Sequence, residues 1–364
     1  MRGNGGRIGP KHTPTLVSAS GFWSLAEAGD YRRQSLWPPL ISSLYSFTNA
    51  TFTSGSVTEQ LGPSLAQARS GLTGTGVDAW KNNTSYFNTI NGIQLWVVPE
   101  FGNYQITASG AQGGGTGGAG AIVRATYALE AGEIIYILVG QTGNTSSCGG
   151  GGGGGTFVAR AKNLYGANLV SWAGAGVYMY PLLVGGGGGG QRDSGSSGPQ
   201  NGSMGTFGTY ETGSVSSNGG TGGPGGSATG GGGWSTNGGN GSGSVTNLTD
   251  TGRSFVNGGQ GGNNNRSPGK FGGGGGASCE VCNTAANAGA GGGYSGGGTN
   301  LNVGACYTGG GGGGSFIHST AIGTPGTSNG SWGTLSSPHS HYTGAVSNLG
   351  SFNSGSGSVV ITKL

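Results

Sequence analysis

The chain has 364 residues, of which 92 are glycine, and only 7% of its residues are charged. This composition excludes collagen, which needs glycine at every third position and abundant proline, and the 32% of apolar residues disfavours a disordered linker. The net charge of +4 without a basic block makes nucleic acid a poor candidate partner, and without an apolar run of about 18 residues we expect no membrane insertion.

Residues 1–90 hold few glycines, and we interpret them as an N-terminal attachment segment. Ser24 and Glu27 have the spacing of a capping box, and Pro38 is a helix stop, so a short helix is predicted over 25–36. Its apolar residues are the candidate contacts for attachment to other virion proteins: Phe22, Trp23, Leu25 and Trp37.

The rest of this segment has a weaker pattern. Residues 40–52 are β-like, and residues 71–90, GLTGTGVDAWKNNTSYFNTI, are interpreted as a polar bridge. A boundary is therefore predicted between residues 90 and 91.

Short apolar segments separated by turn residues predict β-strands after this boundary. The predicted strands are Gly92–Val98, Asn103–Ala111, Ala121–Glu130, Ile134–Gly140, Thr156–Lys162, Tyr178–Val184 and Ser356–Leu364. Strands of this length and number predict an all-β fold, a β-sandwich.

Runs of glycine follow or separate these strands. The five runs are Gly149–Gly155, Gly185–Gly190, Gly230–Gly233, Gly272–Gly276 and Gly309–Gly314. Glycine chains in polyproline II geometry approach closely enough to pair their backbones, so a bundle of polyglycine II helices is predicted within about 149–315. Representative core positions are Gly152, Gly187, Gly232, Gly274 and Gly311. The alternative is that the runs are flexible linkers.

Four blocks in the same order resemble the glycine-rich domain of anaplastic lymphoma kinase and leukocyte tyrosine kinase receptors. The blocks are GIQLWVVPEFGNYQITASGAQGG, IIYILVGQTG, a glycine run before TFVARA, and PLLVGGGGGG. The resemblance covers roughly residues 90–364 and implies a sandwich of tumour-necrosis-factor-like type with an inserted polyglycine II bundle.

A second resemblance concerns the N-terminal segment. The stretch TPTLVSASGFWSLAEAGDYRRQSLWP resembles a short element of tailed-phage structural proteins. Tip adhesins of phage tail fibres share the polyglycine II architecture, although this chain does not align with them residue by residue. Together these resemblances imply a virion protein with an exposed glycine-rich head.

Loops that mix aromatic residues with Asn, Ser and Gly are typical of adaptable recognition surfaces. The candidate receptor-binding residues are Phe207, Tyr210, Trp234, Phe255 and Arg266. For Trp234, packing against the glycine helices is an equally good reading. The expected target is a host cell-surface protein or glycan.

The sequence gives little support to catalysis or to a cofactor, because its eleven acidic residues are thinly spread. His339 and His341 form an HxH pattern, a weak metal candidate against the alternative of a polar loop. The cysteines are candidates for disulfides between glycine loops, with free thiols as the alternative: Cys148, Cys279, Cys282 and Cys306.

We therefore expect a non-enzymatic structural protein of a tailed-phage virion, in a tail fibre or similar appendage, with a host-recognition role. The alternatives are a capsid decoration protein and an extracellular protein-binding domain of receptor type. A homo-oligomer is expected, with a trimer as a guess from the architecture of phage appendages.

Overall fold

The computed structural model describes the chain in thirteen ranges. They are 43–146, 149–161, 170–171, 178–192, 198–217, 219–225, 228–240, 251–263, 267–277, 287–299, 309–327, 347–348 and 352–364. The chain divides into two compact units, residues 1–45 and residues 46–364. The predicted helix over 25–36, with Phe22, Trp23, Leu25 and Trp37, lies outside the described residues.

Most regular elements in the described residues are β-strands. The first part of the chain contains β1 Asn49–Phe52, α1 Leu65–Gly71, a 3-10 turn Val77–Ala79, β2 Phe87–Ile90, β3 Ile93–Val97, β4 Gly102–Ser109, β5 Ile122–Leu129 and β6 Ile134–Leu138. The remainder contains β7 Thr145–Ser146, β8 Gly149–Gly150, β9 Thr156–Arg160, β10 Val170–Ser171, β11 Tyr178–Gly185, β12 Gly208–Thr209, β13 Val215–Ser217, a 3-10 turn Phe255–Asn257, β14 Phe316–Ile317, β15 Ile322–Thr327, β16 Ser347–Asn348 and β17 Ser358–Lys363.

Two sheets form a β-sandwich, which confirms the predicted all-β fold. One sheet has the order β1-β17-β4-β5-β15-β16, and the other has the order β10-β11-β9-β6-β3-β2 with β14 beside β11. Strands β9 and β11 of the second sheet contact β4 of the first. The chain positions of the seven predicted strands match β3, β4, β5, β6, β9, β11 and β17.

The predicted boundary at residue 90 falls inside this sandwich. Strand β1 pairs with β17 and β2 pairs with β3, so residues 49–90 contribute to both sheets. The supposed polar bridge contains Trp80 and Phe87, both fully buried. The centroids of their rings are 6.2 Å apart, and the Phe87 ring also lies 6.2 Å from that of Phe52. This aromatic packing places the segment in the core although most of its residues are polar.

The glycine segments lie beyond one end of the sandwich and are bonded to one another through the backbone. Gly187 N donates to Gly292 O at 2.8 Å, and Gly190 N donates to Gly289 O at 2.9 Å. Gly152 N donates to Gly275 O, and Gly155 N donates to Gly272 O. The same spacing of three residues between bonds recurs in two further pairs of segments. Gly289 N donates to Gly150 O and Gly292 N donates to Gly153 O. Gly310 N donates to Gly190 O and Gly313 N donates to Gly187 O. Three residues per turn is the repeat of a polyproline II or polyglycine II helix.

The bundle is larger than the glycine runs indicate. It also includes residues 110–121, 140–144, 220–225 and 287–299, so it begins before the predicted limit of 149. Side chains are tolerated in these segments where they are small, as with the fully buried Ala111 and Ala290. Sequence inspection found the uninterrupted runs and missed the interrupted ones.

All five representative glycines are buried in the bundle. A Cβ added to Gly152, Gly187, Gly232, Gly274 or Gly311 would fall within 3.0 Å of a carbonyl oxygen of another segment. Because that neighbour is backbone, it cannot rotate out of the way as a side chain would. The interior therefore requires glycine for steric reasons.

We predict that Gly187→Val lowers the free energy of unfolding by about 3 kcal/mol or more, since its side chain would enter a close-packed backbone array. The matched control is Gly198→Val, because a Cβ at Gly198 meets no atom within 4 Å. Thermal unfolding of both variants measures the effect. Equal stability of the two variants would contradict backbone packing in the bundle.

Candidate functional site

The strands show which end of each glycine segment adjoins the sandwich. Residues 110 and 185 leave the sandwich directly after β4 and at the end of β11, whereas residues 155 and 315 enter it just before β9 and β14. The end of the bundle away from the sandwich, here called the distal end, therefore carries the opposite ends of these segments. The described residues of these segments reach this end at Gly149, Gln191, Ala277, Asn287, Thr299 and Gly309.

The segments that run from the distal end towards the sandwich share a feature where they reach it. Each stops at a large aromatic residue with little or no exposure: Phe157, Trp234, Phe255, Phe271, Tyr294 and Phe316. These residues form one hydrophobic cluster with Leu138, Ala159 and Val184 of the second sheet. The aromatic ends therefore fasten the bundle to the outer face of that sheet.

Two predicted contact residues belong to this cluster, which corrects their interpretation. Trp234 is 4% exposed and Phe255 is 0% exposed. Their rings stack at 4.6 Å with an interplanar angle of 11°, and Phe157 lies 5.3 Å from Phe255. A partner cannot reach these side chains, and the alternative reading of Trp234 as a packing residue is the one that the structure supports.

Phe207 and Tyr210 have a different environment, on the flank of the bundle, where both are partly exposed. They precede and follow strand β12, which forms a hairpin with β13. The turn is closed by Tyr210 N donating to Ser214 O at 2.8 Å, and Val215 beside it is 54% exposed. We call residues 207–217 the flank hairpin.

The flank hairpin is fixed to the bundle at both ends. Thr209 N donates to Gly312 O at 2.9 Å, and Ser217 Oγ donates to Gly296 O at 2.5 Å. Nearer to the distal end, Gln200 Nε2 donates to Glu211 O at 2.6 Å. These bonds hold an exposed turn against a rigid support, which is the arrangement that recognition loops need.

A second group of polar contacts lies at the distal end. Thr116 N donates to Gln191 Oε1 at 2.6 Å, and Gly115 N donates to Thr145 Oγ1 at 2.7 Å. Gly115, Thr116 and Thr145 are exposed. This rim and the flank hairpin together make the candidate recognition surface, built mainly from neutral hydrogen-bonding groups, with the partly exposed Glu211 and the exposed apolar side chain of Val215.

Two sets of buried charged groups among the described residues serve structural contacts. Burial lowers the pKa of Lys270, which Glu59 partly offsets, and Lys270 Nζ donates to Thr58 O at 2.6 Å. Arg160 forms a buried ion pair with Glu133 at the other end of the sandwich. Neither group lies on the candidate recognition surface.

Several predicted residues lie outside the described residues, so their roles stay predictions. They are Arg266, His339 and His341, and the four cysteines Cys148, Cys279, Cys282 and Cys306. Within the described ranges, His, Cys, Asp and Glu form no group of three or more that is suited to a metal ion. Over the same ranges, no helix has the length and apolar character to cross a bilayer.

The structure also reveals a pattern that sequence reasoning missed. Three of the buried aromatic residues, Trp234, Phe157 and Phe316, come directly after a glycine run or one residue beyond it, in GGGGW, GGGGGTF and GGGGGGSF. An aromatic residue at the end of an uninterrupted glycine run is therefore the signal of an anchor in these segments. Tyr294 carries the same signal in GGGY, whereas Phe255 and Phe271 follow a single glycine in GRSF and GKF.

Comparison with known proteins gives a partial similarity. The leukocyte tyrosine kinase receptor of Mus musculus is 38% identical over 96 residues, which is 23% of this chain and 11% of the receptor. No protein-family model matches the chain. The chain thus matches about a tenth of this relative's length, and the predicted resemblance is confirmed only as a partial likeness to a region of a receptor kinase.

We predict that Trp234→Ala lowers the free energy of unfolding by about 3–5 kcal/mol, because it empties a buried site between Phe157 and Phe255. Tyr210→Ala, at a partly exposed position of the flank hairpin, is the control and should cost about 1 kcal/mol or less. Chemical denaturation of both variants measures the difference. If the Trp234→Ala variant unfolded at the same denaturant midpoint as the wild type, Trp234 would not be an anchor.

Proposed function

We propose that this protein is a non-enzymatic structural component of a tailed-phage virion, in a tail fibre or similar appendage, that recognises the host surface. Its glycine bundle is the exposed head, and the flank hairpin and distal rim contact a cell-surface protein or glycan. Residues 1–45 attach the head to other virion proteins.

The main support is the separation of two ends. Lys363 N donates to Thr48 O at 2.9 Å, and Asn49 pairs with Thr362, so the chain enters the sandwich beside the end of β17. Strand β17 begins next to the bundle, where Gly357 N donates to Gly140 O at 2.9 Å. The point of entry is therefore at the end of the sandwich opposite the bundle, which suits a protein held at one end and exposed at the other.

The candidate surface favours binding over chemistry. Its described members offer backbone groups, amides, hydroxyls and the single carboxylate of Glu211, with the exposed Val215 and the partly exposed Tyr210. Rigid aromatic and adaptable polar groups of this kind are used by recognition loops. Catalysis would require paired titratable groups in a confined site, and the buried Arg160–Glu133 pair is engaged in packing.

A second candidate is an extracellular protein-binding module of receptor type. The partial likeness to the leukocyte tyrosine kinase receptor favours it. The two candidates differ in the role of residues 1–45, which attach to a particle only in the first.

Recognition is tested with two substitutions of the same kind at opposite ends. We expect Val215→Glu to lower binding of the labelled full chain to bacterial cells about tenfold or more, because a charge would be buried at the contact. Phe101→Glu is the control, since Phe101 is 72% exposed in the turn before β4, at the sandwich end away from the bundle. Flow cytometry over a panel of strains measures binding.

An equal loss of binding in the two variants would contradict recognition by the flank hairpin. Absence of binding to every strain would favour capsid decoration or the receptor-type module. Treating the cells with protease or periodate separates a protein target from a glycan target.

Attachment is tested by truncation at residue 45. We expect residues 46–364 to fold with an unchanged melting temperature and to be absent from assembled particles. A deletion to residue 60 is unsuitable, because it removes β1 and Thr58, which accepts the hydrogen bond of Lys270. Normal incorporation of the protein lacking residues 1–45 would show that the anchor lies elsewhere.

A further inference from the structure

One side of the glycine bundle has no covering segment among the described residues. It is formed by two neighbouring segments, residues 219–225 and 236–240. Asn237 and Asn240 are exposed, and Gly222 and Gly225 are partly exposed, whereas segments in the interior of the bundle are buried throughout. We call this side the bare edge.

The two segments of the bare edge follow the register of the bundle. Gly239 N donates to Gly223 O at 2.7 Å, and Gly222 N donates to Thr236 Oγ1 at 2.8 Å. A Cβ added to Gly222 would meet the Asn237 carbonyl, and one added to Gly225 would meet the Asn240 carbonyl. Positions 222 and 225 therefore lie beside 237 and 240, with a repeat of roughly 9 Å along the edge.

Several backbone groups on this repeat have no partner within the part of the chain that the structure describes. Among the described residues, no hydrogen bond is made by the carbonyl oxygens of Gly222, Gly225, Asn237 and Asn240, or by the N–H groups of Asn237 and Asn240. In the interior, groups at the same three-residue spacing bond to a neighbouring segment. The bare edge is thus the equivalent of an unpaired edge strand in a β-sheet.

The Asn237 side chain leaves the backbone groups beside it accessible. Asn237 Oδ1 accepts from Ser254 N at 3.0 Å and from Asn257 Nδ2 at 2.9 Å, so this side chain is turned onto the bundle. Neither segment contains Asp, Glu, Lys or Arg. Charged residues, one of the features that guard an exposed edge against association, are therefore missing here, and Pro224 is the one residue of another guarding type in the two segments.

We propose that the bare edge is a pairing surface for a second copy of this chain. An occupant must repeat every three residues, carry free N–H groups as well as carbonyls, and bring no bulky side chain to the contact. The bare edge itself meets these conditions, because Asn237 and Asn240 each provide a donor and an acceptor. A two-fold axis would place Asn237 of each copy opposite Asn240 of its partner, in a self-complementary interface.

The test compares two substitutions at one exposed residue. Asn240→Pro removes the backbone N–H but keeps a φ suited to polyproline II geometry, whereas Asn240→Ala removes only the side chain. Analytical ultracentrifugation of the purified full chain gives the dimer dissociation constant. We expect Asn240→Pro to raise it about tenfold or more, since the symmetric interface loses two hydrogen bonds, and Asn240→Ala to leave it nearly unchanged.

Two further measurements complete the test. Equal melting temperatures of the diluted variants show that Asn240→Pro remains folded, and amide exchange at residues 237 and 240 should slow on dimerisation. A wild-type chain that stays monomeric, a mass of three chains, or equal dissociation constants for the two variants would overturn the two-fold pairing. None of these results bears on host recognition, which is measured separately.

Discussion

The structure depends on one contact, a backbone N–H···O=C hydrogen bond that recurs every third residue between neighbouring glycine segments. Each such bond contributes about 1 kcal/mol net, so the bundle needs many of them in register. The spacing excludes side chains, because a Cβ at interior positions such as Gly187 would collide with another backbone. The high glycine content follows from this one geometric requirement.

Backbone bonding alone offers little hydrophobic stabilisation, and ordering glycine costs more entropy than ordering other residues. The aromatic anchors supply hydrophobic stabilisation at one end of the bundle. Trp234, Phe255 and Phe316 bury large rings against the second sheet, where each contributes a few kcal/mol. Direct continuation of β11 into residues 186–190 adds a second restraint, since the strand fixes the height and direction at which the segment starts.

The sequence was sufficient for the strands and for the uninterrupted glycine runs, because both rest on local patterns. Prediction from the sequence failed where contacts between distant parts of the chain determine which residues are buried. Trp80 and Phe87 sit among polar residues. The pairing of β2 with β3 places Phe87 in the core, and Trp80 is buried there by ring contacts with Phe87 and Phe47. Trp234 and Phe255 looked like contact residues because aromatic residues beside glycine suit both a loop and an anchor. The interrupted segment 287–299 was missed, because Ala288 and Ala290 break the glycine pattern without breaking the packing.

A core made of main chain also limits where function can lie. Interior positions are mostly glycine, with a few small or neutral side chains such as Ala111 and Ala290, and a bulky side chain added at an interior glycine would disturb a neighbouring segment. Variation is therefore confined to the connections between segments, to the flank hairpin and to the edges of the bundle. Loops can change there while the register of the segments stays fixed, which favours a recognition surface over an active site. The bare edge follows from the same requirement, because a bundle built by lateral pairing ends in unpaired groups wherever no further segment is added.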